Sequence, residues 1–294
     1  MGTRYLGGYI TATEQTPSSS SATGVWDLRT HSKELVAEAW QNPTPAGRAL
    51  FGGGYESAAS NRIDFVDIAT TGNASDFGDL ATATYYMDAV SSSTRGVWGG
   101  GTNAAGSAIN ELQYVSLASA GNGQDFGDLA STNYYIMGTG SSTRGVFAGG
   151  LGPGYTNVIQ YITIASTGDT TDFGDLTVSR FAGGGTSSPT RGLFMGGYYG
   201  TAVNTIDYIT IGSTGNATDF GDLGTGGAAY NAATGSNVRA LSMGGQRSSS
   251  YSNAPIDVIQ YVTIASTGNA TDFGDLSPGG SAAGRRYLSA ASNN

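Results

Sequence analysis

The sequence predicts an all-β fold made by repeating one unit. Three observations carry this. The string Asp-Phe-Gly-Asp-Leu occurs five times, starting at Asp76, Asp125, Asp172, Asp219 and Asp272. The interval of about fifty residues is that of propeller blades rather than of short solenoid turns. The composition is rich in Gly (48 of 294 residues) and poor in charge (12%), which suits short strands joined by many tight turns.

Each unit reads as four strands. One opens on an Arg: Arg48, Arg95, Arg144, Arg191 and Arg239. The next is a β-branched and aromatic run, as in Ile159-Gln160-Tyr161-Ile162-Thr163-Ile164, apolar on both faces and so expected between two sheets. Pairs such as Gly121-Asn122 and Gly215-Asn216 then mark a hairpin turn. The Asp-Phe-Gly-Asp-Leu strand follows. A Tyr-rich segment (Tyr85-Tyr86, Tyr134-Tyr135, Phe181, Tyr230) reads as the last strand. Four-stranded meanders of this kind form a β-propeller, with five blades favoured over residues 48–294. Gly279 to Gly284 reads as the missing strand that closes the ring. The alternative is a sixth blade shared by both termini, since Arg285-Arg286-Tyr287-Leu288 also reads as a strand.

Residues 1–47 differ. A Ser-rich linker precedes a predicted helix from Leu28 to Trp40, with Leu35, Val36 and Trp40 on one apolar stripe and Trp26 just before it. Pro43 and Pro45 end it. Met1 to Gln15 shows no basic start followed by an apolar core, so no signal peptide is expected.

Composition narrows the function. The net charge is −9 with Lys33 the single Lys, so a nucleic-acid partner is not expected. No apolar run is long enough to span a bilayer, so membrane insertion is not expected. There is no Cys, and the one His, His31, lies on the predicted helix. Neither a nucleophile–base pair nor a transition-metal site is legible, so the chain is read as non-enzymatic and without cofactor.

The paired Asps (Asp76 and Asp79, Asp125 and Asp128, Asp172 and Asp175, Asp219 and Asp222, Asp272 and Asp275) hold ten of the 22 acidic residues. Calcium would suit them as a hard cation, but two carboxylates per unit are too few for its usual shell. The structural reading is preferred: the Asps cap a tight Phe-Gly turn and pair with Arg95, Arg144, Arg191 and Arg239. Among the loops, the Ser-Ser-Thr and Gly-Asn turns are nearly constant and share one face. The variable loops share the other and carry Tyr55, Tyr155, Tyr198, Tyr199 and Tyr251 as candidate ligand contacts.

Gly149-Gly150, the mid-blade Tyr161 and the Phe173 to Leu176 spacing resemble the kelch repeat, with Phe in place of its usual Trp. The run Gly-Val-Trp-Asp-Leu-Arg at 24–29 resembles N-terminal segments of tail-fibre-like proteins of tailed bacteriophages. The whole chain is similar to repeat proteins of cyanobacterial phages. That resemblance implies a virion component, a tail fibre or surface appendage. It implies oligomers in the particle, attachment to other virion proteins through Trp26, Leu35, Val36 and Trp40, and a host surface glycan as ligand. A free lectin-like propeller and an intracellular scaffold propeller are the alternatives.

Overall fold

The computed structural model describes residues 47–276, apart from 225, 250 and 251, together with Arg285. The fold is a five-bladed β-propeller, and the described residues contain no helix. The predicted helix with Trp26, Leu35, Val36 and Trp40 lies outside the described residues, as do Tyr251 and Gly279 to Gly284.

The chain forms two compact units. Of the described residues, the smaller holds 47–49 and 65–74, and the larger holds the rest. In the smaller, the Ile68 N–H donates to the Gly47 carbonyl at 2.8 Å, and the Arg48 guanidinium lies 5.3 Å from the centre of the Phe65 ring.

In the larger unit, four sheets repeat one antiparallel order from the axis outward. The second sheet runs Asp88–Ser91, Arg95–Gly99, Glu111–Ser116, Gln124–Asp128. The third is Met137–Gly140, Arg144–Ala148, Val158–Thr163, Thr171–Asp175. The fourth is Gly184–Ser187, Arg191–Met195, Thr205–Thr210, Thr218–Asp222. The fifth is Ala232–Gly235, Arg239–Met243, Val258–Thr263, Thr271–Asp275. The first sheet has three strands, Arg48–Gly52, Arg62–Asp67 and Ser75–Asp79. Strands such as Val158–Thr163 bury both faces, with Ile159 and Ile162 inside.

The repeated string explains itself at the joints between blades. Phe77, Phe126, Phe173 and Phe220 are buried, as are Leu80, Leu129, Leu176 and Leu223. Between them, the outer strand bonds the Gly-Asn turn of the next blade. The Phe173 carbonyl accepts the Gly215 N–H at 2.7 Å, the Asp175 N–H donates to Asn216 Oδ1 at 3.1 Å, and the Asp175 carbonyl accepts the Ala217 N–H at 2.8 Å. The same three bonds join Phe77 and Asp79 to Gly121, Asn122 and Gly123, and Phe220 and Asp222 to Gly268, Asn269 and Ala270. They also join Phe126 and Asp128 to Gly168, Asp169 and Thr170. Three such bonds contribute about 3 kcal/mol net, and each buried Phe or Leu adds about 1.5–3 kcal/mol. Gly174 sits at φ +144°, and a Cβ there would stand 2.5 Å from the Gly215 carbonyl, so no side chain fits. In the fifth blade Phe273 is 52% exposed, and a Cβ on Gly274 would meet nothing within 4 Å.

Two expectations are corrected. Among the described residues, Arg95, Arg144, Arg191 and Arg239 form no ion pair with the Asps of the repeated string. Each Arg lies on the second strand of its sheet and lays its guanidinium over the Tyr of the third, as Arg144 does at 4.3 Å from the Tyr161 centroid. Arg95, Arg191 and Arg239 repeat this on Tyr114, Tyr208 and Tyr261. Nη1 of Arg95, Arg144 and Arg191 donates to a main-chain carbonyl of the next blade, that of Ile164, Ile211 and Ile264. The first Asp instead caps its own strand: Oδ1 of Asp125, Asp219 and Asp272 accepts the Gly N–H two residues on. Nor is the Tyr-rich segment the last strand. Tyr86, Tyr135 and Tyr230 have φ between +54° and +59°, which breaks the extended backbone, and the innermost strand begins two residues later.

Arg285 also sits in this crossover pattern. Its N–H donates to the Ile256 carbonyl and its carbonyl accepts the Gly245 N–H. Arg180 does the same with Thr156 and Gly150, and Asn133 with Ile109 and Gly101. Arg285 is therefore the counterpart of Asn133 and Arg180, which stand four positions before an innermost strand.

One joint differs inside. Gln113, Gln160 and Gln260 accept a main-chain N–H from the preceding blade through Oε1. Asp207 takes that place at the third-to-fourth joint, accepting from Thr177, and forms an ion pair with Arg180 at 2.9 Å with both side chains fully buried. Burial pushes the Arg180 guanidinium below its usual pKa, and Asp207 pulls it back up. Arg180 Nε and Nη1 have no partner among the described residues.

Two stability outcomes follow. Gly174→Ala lowers the melting temperature more than Gly274→Ala, because both strain the backbone but only the first collides; overpacking costs about 1–3 kcal/mol. Arg180→Ala leaves a buried Asp207 charge and costs about 3–5 kcal/mol. The double change Arg180→Asn with Asp207→Gln recreates the Asn133 and Gln160 arrangement of the preceding joint and restores most of that loss. Thermal melts of the four variants beside the unchanged protein check both outcomes.

Candidate functional site: an aromatic cup at the channel mouth

The innermost strands carry small residues where they come together. A Cβ on Gly185 would collide with the Gly138 carbonyl, and one on Gly184 would stand 2.5 Å from the Ala233 side chain. Side-chain bonds tie these strands: Thr139 Oγ1 to the Thr186 carbonyl at 2.8 Å, and Ser187 Oγ to the Gly140 carbonyl at 2.6 Å. Two cavities open on either side of Ala89, Gly185 and Ala233, which line both. The one on the constant-loop face, about 450 Å³, is lined by hydroxyls such as Ser141, Ser188 and Thr234. The other, about 660 Å³, is aromatic.

The aromatic mouth is built by the backbone. The Tyr230 N–H donates to the Ala182 carbonyl, Ala182 N–H to Tyr135, and Tyr135 N–H to Tyr86, at 2.6 to 2.9 Å. All four donors and acceptors are residues at positive φ, one per blade. Positive φ costs a bulky residue of order 1–3 kcal/mol and persists only where surrounding structure enforces it. Here the hydrogen-bond chain enforces it, and three of the four positions carry Tyr.

The rings form one continuous network. Tyr86 stacks on Tyr135 at 4.2 Å, and Tyr135 meets Tyr134, Phe181 and Tyr230 at 5.3 to 5.7 Å. The variable loops join it. Tyr55 lies 4.9 Å from Tyr85, Tyr155 stacks on Phe181 at 5.6 Å and meets Tyr199 at 5.3 Å, and Tyr198 meets Phe181 at 5.4 Å. Tyr55, Tyr86, Tyr155 and Tyr199 remain exposed. Four of the candidate tyrosines of the loops are thus gathered in one patch.

The loop reading missed the centre of that patch: Tyr85, Tyr86, Tyr134, Tyr135, Phe181 and Tyr230. The signal was present as the Tyr doublets, which a strand assignment absorbed. It also missed Asp88. This residue opens an innermost strand where its counterparts are Met137, Gly184 and Ala232, and among the described residues it is the one charged residue lining the cup. Its Oδ2 accepts the Gly138 N–H at 2.7 Å and its Oδ1 the Ala89 N–H at 2.8 Å. Burial nevertheless pushes its pKa up to about 6, the two N–H bonds only partly opposing it. The Asp-Phe-Gly-Asp-Leu carboxylates lie on the outermost strands, away from the cup. No family model matches the chain, and no curated protein matches it.

The raised pKa of Asp88 sets a pH signature. The folded protein holds this proton above the pH at which the unfolded chain releases it, so Asp88 favours folding at low pH. That contribution is lost as pH rises from about 4 to about 6. Asp88→Asn is therefore expected to gain stability relative to the unchanged protein across that interval. Paired melting curves at pH 4 and pH 7 measure the difference, which should be larger at pH 7.

Proposed function

We propose that this chain is a non-enzymatic recognition module that binds a surface glycan in the aromatic cup. The observation that carries this is the ring network around a cavity at the channel mouth. Aromatic faces offer rigid apolar area at low entropic cost, as adaptable binding surfaces do. A concave site with a few polar groups among aromatic walls is where a small ligand gains most contact. The strained tyrosines are aimed there by main-chain bonds, so the site is preorganised before any ligand arrives.

In this reading the propeller is part of a phage virion, a tail fibre or surface appendage of the kelch-like kind. The support for that placement is the resemblance of residues 24–29 and of the repeats to tail-fibre-like proteins. Residues 1–47 would be the attachment to other virion proteins, and the cup would face the host.

The expected outcome is saturable binding to a subset of an immobilised glycan panel. Tyr86→Ala and Tyr135→Ala each lower affinity at least tenfold, as central aromatic anchors do. Tyr199→Ala at the rim has a smaller effect. Deleting residues 1–41 leaves glycan binding intact and abolishes copurification with assembled particles. Binding without any particle association would favour the free lectin, and a peptide rather than a glycan in the cup would favour the scaffold.

A further inference from the structure

We infer that the glycan taken by the cup carries an ammonium group, held between the tyrosine faces and the Asp88 carboxylate. This rests on the reading of the cup as a glycan site and names the chemistry the site selects. Three independent features converge on it.

The first is the placement of the charge. Asp88 interrupts a repeat that elsewhere uses Met137, Gly184 and Ala232, so the innermost strand does not require a carboxylate. The bond to Gly138 fixes its orientation, but among the described residues each oxygen accepts one hydrogen bond and a carboxylate can accept about four. The second is the wall. Tyr85, Tyr86, Tyr135 and Tyr230 line the same cavity as Asp88. The faces of such rings attract cations, most strongly where water is displaced. The third is the absence of competition. The cup's described lining contains no Arg, Lys or His, and the chain's net charge of −9 draws cations toward it. A neutral sugar would satisfy the rings but leave the half-buried carboxylate uncompensated. An anionic sugar would be repelled by it.

The raised pKa of Asp88 agrees with this assignment, since a bound cation would relieve the charge that burial disfavours. Among the described residues, tyrosines are the other titratable groups lining the cup. Binding of a permanent cation should therefore weaken as pH falls through about 6.

The test uses the full chain and two small probes of the same shape: choline, which is charged, and 3,3-dimethylbutan-1-ol, its neutral carbon analogue. Titration at pH 7.5, followed by tyrosine fluorescence or by nuclear magnetic resonance, should show saturable choline binding at least tenfold stronger than that of the neutral analogue. Asp88→Asn keeps an acceptor for the Gly138 N–H and should lower choline affinity at least fivefold while leaving the neutral analogue unchanged. Asp88→Ala, the residue of the fifth blade at this position, serves as a second variant. Equal binding of the two probes, or choline binding indifferent to both substitutions, overturns the inference. The glycan panel then separates the two claims. Neutral glycans bound alike by the unchanged protein and Asp88→Asn leave the glycan reading standing and remove the ammonium. No glycan bound at all removes both.

Discussion

The joint between successive blades is the constraint on which the rest of the structure depends. Four outer strands offer a carbonyl, an N–H and a second carbonyl to a turn of the next blade at close range. Only Gly leaves room for that approach, and only Asn or Asp at the turn supplies the side-chain acceptor. Phe and Leu on either side bury the contact. The five-residue string is therefore the smallest sequence that makes the joint. Its first Asp holds the Gly N–H in the required geometry, and the guanidinium of the second strand reaches the next blade from inside. Once the joints exist, the innermost strands are brought edge to edge, and the channel follows.

Much of this was legible in advance, and the reasons are local. Identical strings at regular intervals report one unit repeated, and alternation of apolar groups on both faces of Val158–Thr163 reports a sheet covered on both sides. The turns were legible because Gly-Asn has few other uses between strands. Legibility failed where a residue's partner lies in another blade. Arg144 and the Asps are matched in number and spacing, which suggests an ion pair. The sequence cannot show that another strand lies between them, or that a ring is the nearer neighbour. Tyr86 and Tyr135 look like strand residues by propensity. Their backbone is instead set by a hydrogen bond from the next blade, a tertiary effect that overrides propensity.

The cup shows how a repeat acquires a distinct site. Four blades contribute the same backbone geometry to the mouth, so position and orientation come from the repeat. Identity comes from departures: Ala182 lacks the ring that its three counterparts carry, and Asp88 adds a charge that its counterparts lack. Loop tyrosines extend the surface outward without touching the joints. Architecture and chemistry are thereby carried by different residues, and changes in one need not disturb the other.

The Arg180–Asp207 pair bears on how such a chain finds its own order during folding. Near-identical repeats invite wrong pairings, since any outer strand could accept any Gly-Asn turn. A blade docked out of turn at this joint would leave Asp207 facing the Thr84, Asn133 or Ala228 position, with its charge buried and uncompensated. Such a mismatch is penalised far more than a lost neutral hydrogen bond. The pair thus acts as an address for the middle of the ring. It makes one neighbour correct and the others costly, and gives the chain a fixed reference from which to count its blades.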